Sequence, residues 1–527
     1  MWMAVDTLTF TAITAIYLAI IIFLGYLGYR QTKGSDDFMI AGRRINPVVL
    51  ALSYGATFIS TSAIVGFGGV SAMLGMGLVW LTVLCIGVGV LIAFIVFGKK
   101  TRELGKKTDA MTFPDLLGKC YGSKFMQRAA GIVILVGMPL YTAAILIGGA
   151  RFIETTLSIP YDTALIAFAV IVAAYVILGG LIAVMYTDAL QGAIMFVGMT
   201  ILLILTYTYL GGVYGANSAL DAMSSMVPEA LAAGGMTGWT SMPEFLSPIW
   251  LTMITTMVLG VGIGVLAQPQ LAVRFMSVKD NRSIHRAVMV GGPFVLMMTG
   301  VAFTVGPLTN VWFMQTEGML AVEASGGNVD SVIPAFINSA MPDYFVIIFM
   351  LALLAAAMST LSSLFHTMGT TIGHDLNVKA VDSKPSIRAI QAGTVVMIVV
   401  STIVAYLMPG NIIARATVMF MGLCAAAFLP AFAHALYSKK PSVFAAKMSL
   451  LAGVISWFLW TAFVHSSESS VLGISQAIFG VASVLPSPWG VVNPIVVALP
   501  VSAIVLAAAL AYEKSCVESP KEKPESL

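Results

Sequence analysis

Residues 355–363 read AAAMSTLSS, and the reading of this stretch decides the fold. Three alanines precede Ser359, Thr360, Ser362 and Ser363 inside an otherwise apolar run from Tyr344 to about Ile372. Taken as a helix, it places Ala356, Ser359, Thr360, Ser363, His366, Thr367 and Thr370 at offsets of three and four, hence on one face. Leu354, Leu361, Leu364, Phe365 and Met368 fall elsewhere. Lone hydroxyls in apolar helices commonly bond back to the i−4 carbonyl or glue neighbouring helices together. A whole stripe of them with an imidazole points instead to a cavity or pathway, because polar groups at membrane depth are costly.

The chain as a whole supports membrane depth. Of its 527 residues, 59% are hydrophobic and 10% charged, against about a quarter charged in soluble proteins. An all-α polytopic membrane protein follows, with about thirteen runs long enough to span a bilayer. A net charge of +3 suggests no nucleic-acid partner. Cys85, Cys120, Cys424 and Cys516 stand singly, which indicates neither a disulfide framework nor a zinc site. No phosphate loop and no long polar stretch able to form a soluble catalytic domain is present, so we expect neither an enzyme nor a cofactor. The first apolar run, Leu8 to Tyr29, follows Asp6 rather than a basic segment and reads as a retained span, not a signal peptide.

Basic residues orient the chain. Arg30, Lys33, Arg43 and Arg44 follow the first span; Lys99 to Lys107 the third; Arg274, Lys279, Arg282 and Arg286 the seventh; Lys379, Lys384 and Arg388 the ninth; Lys439 and Lys440 the eleventh. The segments 212–246 and 308–343 contain acids and no lysine or arginine. We therefore expect the N-terminus outside the cell membrane and the C-terminus in the cytoplasm, with residues 513–527 disordered.

Two spans look broken. LALSYGATFISTSAIVGFGG, from Leu50, sets Gly55 before Thr57, Ser60, Thr61 and Ser62; MVLGVGIGVLAQPQLAVRF, from Met257, sets Gly260, Gly262 and Gly264 before Gln268 and Pro269. Glycine and proline weaken a helix interior, and paired interruptions in two repeats mark the centre of a transporter, where freed carbonyls can hold a cation. Ser359 lies about 22 Å into its span and Ala56 about 15 Å into a span of opposite direction, so both fall near the midplane.

Together, LSYGATFIS, GGLIAVMYTDALQG (179–192), AQPQLAVRF and AAMSTLSS resemble the sodium:solute symporter family, in order and spacing, over about Leu8 to His434. The resemblance implies a LeuT-type five-plus-five inverted repeat, here 46–211 and 247–437, flanked by an extra helix and loop over 1–45, an extracellular loop over 212–246 and two helices over 438–512. It implies a sodium site built from the carbonyls of Ala56, Ile59 and Ala356 and the hydroxyls of Ser359 and Thr360. Asp188 has two compatible readings: the N-cap of a helix with Gln191 at its third position, or an aid to sodium coupling, as the resemblance implies. Ser363 and His366 would lie on the ion's exit path, His366 alternatively being a buried structural histidine or a proton relay. Solute contacts are expected at Thr57, Ser60, Thr61, Gly262 and Gln268.

Phe58 stands where proline-transporting members of the family have an acidic residue, and GGARFIETTLSIPYDTALIAFAVIVAAYVILGG resembles the pantothenate-transporting branch, with monocarboxylate carriers as neighbours. The expected solute is a small carboxylate, met by half-helix N-termini because no lysine or arginine is expected at mid-membrane. Proline or another solute is the alternative within the family. A passive channel or a transporter-fold sensor is the alternative outside it.

Overall fold

The computed structural model describes residues 7–157, 159–376, 386–408 and 412–518. Among them every regular element is helical. Eleven helices are long and apolar enough to cross a bilayer, and the bent pair Pro47–Phe58 with Ser62–Leu74 and the shorter apolar helix Tyr161–Ile177 add to these. In chain order we label α1 (Thr7–Gln31), α2 (Pro47–Phe58), α3 (Ser62–Leu74), α4 (Met76–Lys107), α5 (Lys124–Leu157), α6 (Tyr161–Ile177) and α7 (Gly179–Tyr209). There follow α8 (Pro248–Met276), α9 (Asn281–Glu317), α10 (Asp343–Asp375), α11 (Ile387–Leu407), α12 (Ile413–Tyr437), α13 (Val443–Phe463) and α14 (Pro494–Glu518).

Burial separates centre from periphery. α10 and α12 bury 89% of their most apolar stretch, α1 and α14 only 22%. α10 packs on α2, α5, α6 and α7, and α12 on α5, α8, α13 and α14. Ile16, Ile20 and Phe23 of α1, Ile403 of α11, Phe458 of α13 and Ile504 of α14 point outward, which costs nothing where the surroundings are lipid tails. The chain is a multi-pass membrane protein.

The two ends of the bundle differ in charge. At one, Arg43 donates to the carbonyls of Gly105 and Ala110, and Arg102 to Asn281 Oδ1 at 2.6 Å, so the basic segments after α1, α4 and α8 meet. At the other, Met76 N donates to Trp239 O, and Asn310 bridges Ala72 O and Ala321 N. We call these the basic and acidic ends.

Local chemistry explains the breaks. Asn46 caps α2 by accepting from Val48 N at 2.8 Å, with Pro47 in the first turn. α2 stops at Ile59, which is extended (φ −93°, ψ 96°); Ser60 Oγ then accepts from Ser62 N at 3.1 Å and starts α3, at 51° to α2. In α8, Pro269 forces the residue before it out of the helical region: Gln268 is extended (φ −73°, ψ 116°). α6 and α7 meet at Gly180, whose φ of 60° and ψ of −171° suit only glycine. The tail expected to be disordered is helical as far as Glu518; residues 519–527, like Lys379 and Lys384, lie outside the described residues.

Candidate cation and solute site

A helix end leaves its last carbonyls without intrahelical donors. Where α2 stops, the hydroxyls of α10 fill that role: Ser359 Oγ lies 2.9 Å from Ala56 O and 3.1 Å from Ala356 O, and Thr360 Oγ1 lies 3.3, 3.1 and 3.2 Å from the carbonyls of Ala56, Thr57 and Ala356. All five residues are fully buried or nearly so. Each hydroxyl has a single proton. Five oxygens therefore crowd together with two protons among them, so most of these contacts bring lone pairs face to face. Such a cluster is electron-rich and suits a small hard cation better than it suits itself.

Of the residues expected at the ion, Ala56, Ala356, Ser359 and Thr360 converge. Ile59 caps α2 through its own N–H, which donates to Gly55 O at 2.8 Å, and no hydroxyl of α10 donates to its carbonyl among the described residues. The Thr57 carbonyl takes a place in the cluster that the sequence did not indicate.

Beside the cluster is a buried charge pair. Arg274 Nη2 donates to Asp188 Oδ2 at 2.7 Å, with both side chains excluded from solvent. The guanidinium also reaches Ser53 Oγ (3.0 Å), Thr57 Oγ1 (2.6 Å), Gln270 O (2.7 Å) and Ser363 Oγ. Asp188 accepts in addition from Ser53 (3.0 Å), Thr57 (3.3 Å) and Ser362 (3.2 Å). One guanidinium thus ties the second half of α8 to α2, α7 and α10.

This corrects three expectations. Arg274 is not in a polar segment after the seventh span: α8 continues to Met276, every residue of Pro269–Met276 is buried, and a cation does lie within the bundle. Asp188 is not an N-cap, since α7 is already helical on both sides of it; Gln191 donates instead to Tyr17 OH at 3.1 Å. Thr57, expected at the solute, turns its hydroxyl into the charge network. Ser363 joins that network and also donates to Ser359 O at 3.0 Å. His366, one turn further on, packs 5.6 Å from the Phe38 ring, and its Nε2 has no hydrogen-bond partner among the described residues.

At the break itself is a cavity of about 20 Å³ whose lining includes Phe58, Ser60, Ser62, Tyr141, Thr299 and Thr417. That is room for about one water. Among the five expected solute residues only Ser60 lines it. Thr61 donates to Ile145 O at 3.4 Å, Gly262 packs on Leu84, and Gln268 accepts from Gln270 at 2.8 Å.

The profile of the sodium:solute symporter family matches residues 38–453. The chain belongs to the sodium:solute symporter family. Within this family it is similar to the sodium/pantothenate symporter of Haemophilus influenzae, at 28% identity over 85% of this chain and 89% of that one. It is also similar to the osmoregulated proline transporter OpuE of Bacillus subtilis, at 24% identity over 84% and 87%. In three dimensions it matches the substrate-bound, outward-open structure of a Na+-coupled sialic acid symporter, with a TM-score of 0.74 at 15% identity over 98% and 99% of the two chains. The fold is therefore of the LeuT type, and this symporter family member has its two interrupted spans, α2–α3 and α8, where such a fold concentrates binding.

Proposed function

We propose that the chain is a Na+-coupled symporter that takes up a small organic carboxylate, with pantothenate or a monocarboxylate as the leading solutes. The supporting observation is the oxygen cluster of Ala56, Thr57, Ala356, Ser359 and Thr360, in which carbonyls freed by the break in α2 meet hydroxyls of α10. A Na+ ion there is a transported co-substrate, held by neutral oxygens. The basic end of the bundle is cytoplasmic in this reading and the acidic end external, with inverted repeats over 46–211 and 247–437.

In the proposed cycle, Na+ pins α2 to α10 and so fixes the break at which the solute binds beside Ser60. A cavity of about 20 Å³ cannot hold such a solute, so α2–α3 or α8 must move to admit and release it. On the cytoplasmic side the Arg274–Asp188 network is the lock: it must part before the ion passes Ser363 and His366. Because Arg274 is engaged by Asp188, it is not free to meet a carboxylate in the centre, which leaves the half-helix N-termini at Ser62 and Pro269 for that task. Phe58 gives the central cavity an apolar wall, which favours an acid with an apolar body over a zwitterion such as proline.

Uptake into proteoliposomes of labelled pantothenate, acetate, pyruvate and proline, with and without an inward Na+ gradient, tests the reading. Accumulation of a carboxylate against its gradient only with Na+ is the expected result. Equilibration indifferent to Na+ would mark a channel and overturn it.

A further inference from the structure

The connection between α13 and α14, residues 464–493, differs in composition from the other connections at the acidic end. Segments 212–246 and 308–343 expose acids, among them Asp221, Glu229, Glu244 and Glu317, as loops in water do. From Ser469 to Tyr512 the chain has no charged residue, and the one just before, Glu468, is buried. What this connection exposes is apolar: Ile478, Phe479, Val481, Val484, Leu485 and Trp489 are each between 38% and 62% exposed. Scattered exposed apolar residues are ordinary, but a group of them in one short uncharged stretch marks a surface that is covered in use.

Its place in the fold says what covers it. α13 has 21 residues, a length of about 30 Å at 1.5 Å per residue, which matches the hydrocarbon core of a bilayer. Phe463, its last residue, therefore lies at the boundary of that core. Leu451, Ile455 and Leu459 form an i+4 row on the exposed face of α13, and Phe463 is the next member of the row. The connection folds back onto this end: Val484 N donates to Phe463 O at 2.9 Å, the rings of Phe479 and Phe463 are 5.9 Å apart, and those of Trp489 and Trp460 6.2 Å. The exposed apolar group thus continues the lipid-facing row of α13 and does not project away from it.

The polar groups are arranged for the same surroundings. Between Ile474 and Pro486 the polar side chains are Ser475, Gln476 and Ser483, and each donates to a carbonyl of the stretch itself: Ser475 Oγ to Val481 O at 2.7 Å, Gln476 Nε2 to Gly480 O at 3.1 Å and Ser483 Oγ to Leu485 O at 2.7 Å. Such self-contained bonding suits a place where water is scarce, whereas irregular backbone exposed to lipid is not tolerated deep in hydrocarbon. The boundary between headgroups and acyl chains meets both conditions, and it is the level at which tryptophan gathers. We propose that residues 474–489 form a lipid-docking surface that lies in the leaflet at the acidic end, with the apolar side chains among the upper acyl segments and Trp489 at the headgroups.

The test uses the full chain in palmitoyl-oleoyl phosphatidylcholine nanodiscs, with Cys120→Ser and Cys516→Ser, leaving the two buried cysteines. A nitroxide is attached in turn at Ile478→Cys and Val481→Cys, two exposed positions of the stretch, at Phe458→Cys on the outward face of α13, and at Glu229→Cys as the reference in water. Relaxation of the label by oxygen relative to relaxation by a water-soluble nickel chelate rises with depth in lipid. At Ile478→Cys and Val481→Cys this ratio should exceed that at Glu229→Cys about fivefold, as for side chains at the headgroup–acyl boundary, and stay below that at Phe458→Cys. A ratio equal to that at Glu229→Cys would put the stretch in water and overturn the proposal. Shielding from both reagents, with dipolar broadening that disappears on dilution with unlabelled protein, would show a second copy of the chain on this surface and would also overturn it.

Discussion

Arg274 and Asp188 form an ion pair at 2.7 Å with side-chain exposures of 1% and 0%, and its network meets the oxygen cluster at Thr57, whose hydroxyl serves the pair and whose carbonyl serves the cluster, and through Ser363, which donates to Ser359 O. Breaking a buried pair from one side leaves an uncompensated charge, which typically costs about 3–5 kcal/mol. Arg274→Gln and Asp188→Asn should each lower the thermal stability of the detergent-purified protein, and the double variant should be less damaged than the two losses added. Strict additivity in that cycle would show that the two residues are not coupled.

If the cluster holds Na+ as proposed, removing one hydroxyl takes a ligand from the ion while leaving the helices packed. Ser359→Ala and Thr360→Ala are expected to raise the Na+ concentration for half-maximal uptake about tenfold or more, equivalent to about 1.4 kcal/mol per tenfold. Thr360→Ser, which keeps the oxygen, should stay close to the parent. Unchanged Na+ dependence in both alanine variants would assign the stripe to helix packing.

Gly180→Ala tests the joint between α6 and α7. A Cβ there would meet the Phe38 ring, and the backbone conformation itself costs a non-glycine residue about 1–3 kcal/mol. Thermal stability should fall, and adding Phe38→Ala should restore only the part due to the ring, since the Phe38 Cα also lies against that Cβ. Full restoration would mean that the backbone angle carries no penalty.

The pH dependence of stability should carry the mark of Glu468. Its folded pKa, raised by burial to about 8 from the ordinary 4.5, means that between those values the folded state holds a proton the unfolded state has lost. Stability contributed by this group therefore falls as pH rises through that window and levels off above it. Glu468→Gln should flatten the decline and be relatively more stable at pH 8 than at pH 5. Parallel melting-temperature profiles for the two proteins across pH 5–8 would refute this.

The broken spans and the hydroxyl stripe were legible because their causes are local: Asn46 and Ser60 cap the two halves of the second span, Pro269 dictates an extended Gln268, and a three-and-four spacing fixes the face of α10. Arg274 was not legible. Its neighbours look like the polar exit of a span, and only tertiary packing shows that α8 stays buried through Met276 and turns the guanidinium inward. Its sole signal was that the stretch after Pro269 is too apolar for a surface helix with one basic residue. The capping role of Asp188 failed for a related reason: Gly180 restarts the helix well upstream, a boundary that residue type alone did not place. Part of the polar lining of the central cavity comes from single residues, Tyr141, Thr299 and Thr417, on α5, α9 and α12, and such isolated groups acquire meaning only when their helices are brought side by side.

The last two helices lie outside the proposed repeats, yet Asn493 N, just ahead of α14, donates to Thr255 Oγ1 on α8 at 3.1 Å while its side chain holds Glu468, and His465 reaches Thr256. A chain shortened after α12 would keep both interrupted spans but strip α8 of its brace near the acidic end. Minimal versions built for biosensing or crystallisation should therefore retain α13, the connection after it and α14.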